Sequence, residues 1–324
     1  MRTSDGIEGI GYCFAFGRED ARVLRLLVDN LAHGLIGADA VAITRLWQRM
    51  WDSLVFLGQS GAGVSAIAAL DIALWDIAGK RAAVPLWQLF GGNPYPVPVY
   101  GSGGSLDTPL PELVAEMERH AAAGYPAVKM KIGYRLEEDL DRVDAVRRAI
   151  GRDVKLILDA NQRWSAKEAV RDGTCFAKHD IWWLEEPVPA ARIVDCAQVR
   201  AALPFAVATG ETNFTVDEFE RLLDAHAADI LMPNLQRVGG ITPWREVAAA
   251  ANLRGVAIAS HVYPEINAHL MAAVPNGLTL EVIPWWPQLF NETLEIRAGK
   301  ALPPRGPGLG LSLDPALVAR HRVD

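Results

Sequence analysis

Cysteine is scarce: Cys13, Cys175 and Cys196 are the only three in 324 residues, and they share no metal-ligand or redox spacing. That is the pattern of reduced thiols in the cytoplasm. Long apolar runs are lacking too. None approaches the ~20 residues of a membrane span, and the N-terminus has no signal-peptide core, so no membrane partner is expected. Positive charge is also short: 32 Lys and Arg against 39 Asp and Glu leave a net charge of −7, which argues against a nucleic-acid partner. What remains is the composition of an ordinary globular protein, 50% hydrophobic and 22% charged.

Gly6, Gly9, Gly11 and Gly17 around Ile7, Ile10 and Tyr12 predict an extended strand or hairpin edge over residues 1–17. Residues 19–92 read as helices, with Val23, Leu24, Leu27, Val28 and Leu31, and later Ile67, Leu70, Leu74 and Ile77, at helical spacing. Asp71 and Asp76 lie on the last of them, and Gly91-Gly92 before Pro94 ends this mostly helical domain of residues 1–94.

A repeating pattern then begins. A short strand at residues 96–100 is followed by a helix (Leu113, Val114, Met117, Ala121) stopped by Gly124, and by Val128-Lys129-Met130-Lys131-Ile132. In a strand, both lysines point one way and Val128, Met130 and Ile132 the other. The next helix closes at Gly151, and a strand over residues 156–161 sets Asp159 and Asn161 on one face. Ser165 with Glu168 and Thr215 with Glu218 form capping-box patterns, and Thr242-Pro243 gives an N-cap with a first-position proline. Strands alternating with capped helices argue for parallel βα units. The expectation is an α/β fold, a TIM-type barrel over residues 95–290, with residues 291–324 as an ordered C-terminal return segment.

Polar residues recur at the strand exits: Lys129, Lys131, Asp159, Glu185, Glu211, Asn234, His261 and Glu281. From Asp159 onward the steps are 26, 26, 23, 27 and 20 residues. A βα unit takes about 30 residues when roughly 250 are shared among eight, so these residues would gather at the C-terminal mouth of the barrel. One acid near a loop is ordinarily a solvated side chain. Three (Asp159, Glu185 and Glu211) converging on one mouth repel unless a cation sits among them, and all-oxygen ligands suit Mg²⁺ first and Mn²⁺ second. Lysines buried beside that cation should have lowered pKa values and could act as bases near neutrality. His261 leaves the seventh strand on the far side of the ring, and Glu281 supports the eighth.

Lys-Met-Lys, Asp-Ala-Asn, Glu-Glu-Pro, Gly-Glu, Met-Pro-Asn with Val-Gly-Gly, Ser-His and Glu281 together resemble the enolase superfamily, mandelate racemase/muconate lactonizing enzyme subgroup. The resemblance covers nearly the whole chain. It implies a (β/α)7β barrel with an α+β capping domain, and Mg²⁺ on Asp159, Glu185 and Glu211. It also implies Lys131 and His261 as acid/base groups on opposite faces of a small carboxylate substrate. Lys129 would neutralise the substrate carboxylate, Glu281 would donate to the enediolate as a protonated acid, and Asn161 would contact metal or substrate. A cytoplasmic homo-oligomer is expected.

Two departures stand out. The subgroup places Asp beside the histidine where this chain has Asn234, which supplies no negative charge and should leave His261 a weaker base. The resemblance implies about 40 further residues of capping strands and a mobile loop before Met1, so an incomplete capping domain is expected. The function expected is α-proton abstraction from a carboxylate, leading to dehydration of a sugar acid. The alternatives are racemisation or epimerisation of a 2-hydroxy acid, or an inactive, lid-less metal-binding homologue. A phosphate-binding barrel built on Gly101, Gly103 and Gly104 ranks last, because barrels bind phosphate in late βα loops.

Overall fold

The computed structural model describes residues 1–283 and 289–321. Residues 284–288 and 322–324, which fall in the expected barrel and return segments, lie outside the described residues. Four helices come first: α1 (Arg18–His33), α2 (Ile43–Ser53), α3 (Ala62–Arg81) and α4 (Leu86–Leu89). The strand expected over residues 1–17 shrinks to one antiparallel bridge, Arg2 to Glu8. The segment lies against α3 instead, so closely that a Cβ on Gly9 or Gly11 would come within 2.3 Å and 2.0 Å of the Ala73 and Ala69 carbonyl oxygens.

Among the described residues one helix, α3, is long and apolar enough to cross a membrane by length and composition, although Asp71 and Asp76 break its apolar run. Its residues are mostly buried inside the protein, and it carries Asp71 and Asp76, both fully buried and hydrogen-bonded. That is the pattern of a core helix, apolar all round.

The barrel runs β1 (Val97–Ser102), α5 (Leu110–Ala122), β2 (Ala127–Lys131), α6 (Leu136–Ile150), β3 (Lys155–Asp159), α7 (Ala166–Cys175), β4 (Ile181–Glu185) and α8 (Ile193–Ala202). It continues through β5 (Ala206–Thr209), α9 (Val216–Asp224), β6 (Ile230–Leu231), α10 (Leu235–Val238), α11 (Ile241–Leu253), β7 (Ala257–Ala259), α12 (Pro264–Met271) and β8 (Gly277–Val282). Neighbouring strands pair in parallel, and β1 pairs with both β8 and β2, which closes the ring. A hairpin of β9 (Ile296–Arg297) and β10 (Lys300–Ala301) adds to β1, and α13 (Pro315–His321) ends the described chain.

Alternation along the strands sorts the side chains as the sequence implied. Val128, Met130, Leu156, Leu158 and Leu184 face outward into the core shared with the helices. Tyr100, Ala127, Ile157, Trp183 and Ala259 fill the barrel interior. Two residues further along the same faces stand Ser102, Lys129, Asp159, Glu185 and His261, above this apolar plug.

Some caps differ from expectation. Ser165 and Glu168 form the full reciprocal box. Thr215 accepts the Glu218 N–H, but the Glu218 carboxylate turns to Asn213 and the Phe214 N–H instead. Thr242 does not cap α11, which starts after Gly240; the acceptor comes from another element, Asp71 on α3. Asp71 takes the Thr242 N–H at 2.9 Å and its hydroxyl at 2.6 Å. The C-terminal segment is tied to the capping helices: Leu309 donates to Asp76 at 2.8 Å, and Leu86 N–H bonds the Gly308 carbonyl at 2.9 Å. All three cysteines are free thiols.

Candidate active site

The strand exits bring Lys129, Lys131, Asp159, Glu185, Glu211, Asn234, His261 and Glu281 together at the barrel mouth, as their spacing predicts. Asp159, Glu185 and Glu211 each offer an oxygen within 4.8 Å of the others, and all three are buried. Lys129, 1% exposed, pairs with Glu185, lies 2.9 Å from Glu281 and 3.6 Å from Asp159. Lys131 pairs with Asp159. Trp183 Nε1 donates to Glu185 at 3.0 Å, which fixes that carboxylate from below.

These contacts reverse the lowered pKa expected for the lysines. Burial pulls the Lys129 ammonium down, but Glu185, Glu281, Tyr100 and Asp159 outweigh it and hold it well above the ordinary lysine value. Lys131 is likewise raised: against burial, Asp159 contributes most. The expectation counted like charges and a cation, whereas in the structure the nearest neighbours are carboxylates. For Glu281, burial would raise the pKa, but Lys129 and His261 outweigh it and hold it at about 2. It also accepts the Val262 N–H at 2.8 Å.

The axis-facing charges do not cancel. Four acidic side chains (Asp159, Glu185, Glu211, Glu281) face two lysines (Lys129, Lys131), so acids outnumber bases by two. Within the protein, burial first and then Asp159, Glu211 and Glu281 push Glu185 well up despite Lys129. Glu211 Oε2 is buried and completes no hydrogen bond among the described residues, with His261 Nε2 3.0 Å away. An all-carboxylate donor set with an unsatisfied oxygen fits a hard divalent ion.

His261 and Asn234 are in contact, Nδ1 to Nδ2 at 2.8 Å. The Asn234 oxygen caps α10, accepting the Arg237 N–H at 3.0 Å, which leaves the amide NH₂ facing the imidazole. An NH₂ group only donates, so His261 Nδ1 is the bare nitrogen and the neutral ring carries its proton on Nε2. Nε2 lies 3.0 Å from Glu211 Oε2.

Asn161 is not on the strand face with Asp159. β3 ends at Asp159, and Asn161 and Gln162 adopt left-handed backbone, φ 42° and 64°. The chain turns back so that the Asn161 N–H donates to Asp159 Oδ1 at 2.9 Å. Glu186, φ 39°, at the exit of β4 and Val262, φ 47°, at the exit of β7 are strained too; such conformations cost of order 1–3 kcal/mol each and persist where surroundings over-determine them. The glycine cluster offers no phosphate cradle. Gly103 and Gly104 N–H groups already donate to the Lys129 carbonyl and the Glu116 carboxylate, and a Cβ on Gly103 would sit 2.1 Å from Glu116.

Ser102 escaped the sequence reading. It is fully buried, its hydroxyl has no hydrogen-bond partner among the described residues, and it stands opposite Lys129 in the β1–β2 register. Carrying the alternation of the first strand two residues past Tyr100 would have found it.

Family profiles match both parts of the chain. The mandelate racemase / muconate lactonizing enzyme N-terminal domain matches residues 1–91, and the enolase C-terminal domain-like profile matches residues 112–317. The chain belongs to the mandelate racemase / muconate lactonizing enzyme group of the enolase superfamily. Among relatives in this group, it is 36% identical to 3,6-anhydro-alpha-L-galactonate cycloisomerase of Streptomyces coelicolor, over 100% of this chain and 90% of that one. It is also 36% identical to L-talarate/galactarate dehydratase of Salmonella typhimurium, over 97% of this chain and 79% of that one. The crystal structure of L-talarate dehydratase from Polaromonas sp. JS666, complexed with Mg and L-glucarate, superposes with TM-score 0.94 at 35% identity, covering 99% and 90% of the two chains.

Proposed function

We propose that this superfamily member dehydrates a sugar acid, binding Mg²⁺, or Mn²⁺ in its place, on Asp159, Glu185 and Glu211. The helical residues 1–94 cap the barrel of residues 95–290 in this reading. The observation that carries it is the pair of proton-transfer groups set at the two ends of one acid triad: Lys131 against Asp159, and His261 against Glu211. A divalent cation held there would supply positive charge to the site, and drawing Asp159 away from Lys131 would ease loss of the lysine's proton.

Lys129 then faces the carboxylate of the substrate, and the hydroxyl of Ser102 is available to it. Neutral Lys131 takes the α-proton, and the electron pair of the broken C–H bond forms the enediolate. His261, as the imidazolium, gives its Nε2 proton to the β-hydroxyl as the C–O bond breaks and is left as the neutral ring, so water leaves and the enol tautomerises to a 2-keto-3-deoxy acid. Dehydration is favoured over racemisation because the Asn234 amide adds no negative charge that would strengthen His261 as a base. Support also comes from the named dehydratases among the relatives.

The test is a panel of aldonic and aldaric acids incubated with Mg²⁺ and assayed for 2-keto-3-deoxy product. Product formed with Mg²⁺ and abolished by EDTA is expected. Epimerised substrate without keto acid would favour the racemase alternative, and no turnover of any acid would leave the inactive homologue.

A further inference from the structure

One layer outside the acid triad, the three loops that carry it bond to one another. Glu186 follows Glu185, Thr212 follows Glu211, and Gln162 lies three residues past Asp159. Gln162 Nε2 donates to Glu186 Oε2 at 2.7 Å and to Thr212 Oγ1 at 2.8 Å. Thr212 donates its hydroxyl to Glu186 Oε2 at 2.9 Å and its N–H to Oε1 at 3.3 Å. The Gln162 N–H reaches the Glu186 carbonyl at 2.7 Å, and the Ala190 N–H closes on Gln162 Oε1 at 2.7 Å. Both amide hydrogens, the hydroxyl hydrogen and the carboxylate are used in one consistent direction. Glu186 is 1% exposed, and among the described residues it has no cationic partner. Gln162 and Glu186 both hold left-handed backbone, φ 64° and 39°, so the bonded residues are also the strained ones.

Asp159, Glu185 and Glu211 repel one another, and nothing in their own chemistry keeps three strand exits at the spacing one ion needs. Mg²⁺ demands near-octahedral geometry, which tolerates little drift of its ligands. We infer that Gln162, Glu186 and Thr212 are positioning residues for the divalent cation, a polar ring that fixes the exits of β3, β4 and β5 relative to one another. This rests on the reading that the triad holds a cation, and deepens it: the second glutamate of Glu-Glu-Pro orients the ligands without being one.

Glu186→Gln places an amide NH₂ against donors, and Thr212→Val deletes the hydroxyl at nearly constant volume. The full-length chain and both variants are titrated with Mn²⁺ by electron paramagnetic resonance, with melting temperatures measured in EDTA. Dissociation constants should rise about ten- to a hundredfold in each variant. The bound Mn²⁺ spectra should broaden as ligand geometry loosens, while Thr212→Val melts close to the unaltered chain in EDTA. Should Glu186→Gln not fold, Thr212→Val decides alone. A variant that melts lower in EDTA yet binds Mn²⁺ with unchanged affinity and spectrum makes the ring a structural brace and overturns the inference while the cation reading stands. No Mn²⁺ binding by the unaltered chain overturns both.

Discussion

Asn234 decides which nitrogen of His261 carries the proton, because its oxygen is committed to the Arg237 N–H and only its NH₂ is left to face the ring. A carboxylate at this position would accept from Nδ1–H, move the neutral proton off Nε2, and stabilise the imidazolium. Asn234→Asp should therefore switch the ¹⁵N signature of the neutral ring from Nε2–H to Nδ1–H. If His261 acts as the acid, the basic limb of the pH–rate profile should move to higher pH. An unchanged spectrum and profile in a folded, active variant would separate the two residues. The identity of this pair was legible from the Met-Pro-Asn and Ser-His cadence. Its tautomer was not, since it depends on a cap bond to a short helix that sequence spacing does not reveal. The lysines taught the opposite lesson: their place was legible and their protonation was not, because that depends on which carboxylates turn toward them.

Among the elements, local chemistry was read well where the partner is close in sequence. Ser165 and Glu168 cap their helix as written, three residues apart. Thr242 was misread because its acceptor, Asp71, comes from a helix 171 residues earlier. His269 on α12 is a similar long-range tie, bonded to the Trp87 N–H at 3.3 Å and facing the Leu309 carbonyl at 3.0 Å, so it joins the capping helices to the return segment. Burial holds its pKa down to about 4, against an ordinary 6.5. The unfolded chain thus binds this proton near pH 6.5 and the folded one only near pH 4, so stability is full above 6.5 and is lost as pH falls between the two. The gap corresponds to about 3 kcal/mol. Urea unfolding at pH 7 and pH 4.5 should show the wild-type chain losing more stability than His269→Gln, whose side chain does not titrate. Equal losses would remove His269 as the cause.

For the whole molecule, one polar residue every 20 to 27 positions was enough to read the barrel and its mouth, because each βα unit returns the chain to the same end. The first 17 residues were misread because Gly9 and Gly11 serve contact with α3, not a strand. If the triad holds a cation, Mg²⁺ at a hundredfold excess over its dissociation constant should stabilise the fold by roughly 2.7 kcal/mol. Differential scanning calorimetry should register this as a melting temperature raised by a few degrees, and Asp159→Asn and Glu211→Gln should lose the rise. The central claim, metal-assisted proton abstraction between two groups on opposite faces, is tested most directly by proton NMR of α-hydrogen exchange in deuterated buffer. A pair of C2-epimeric sugar acids would be compared on the unaltered chain, Lys131→Ala and His261→Asn. The account predicts exchange that requires Mg²⁺ and is lost in Lys131→Ala, while His261→Asn keeps exchange but forms no 2-keto-3-deoxy acid. Exchange that persists in EDTA or in Lys131→Ala would contradict it.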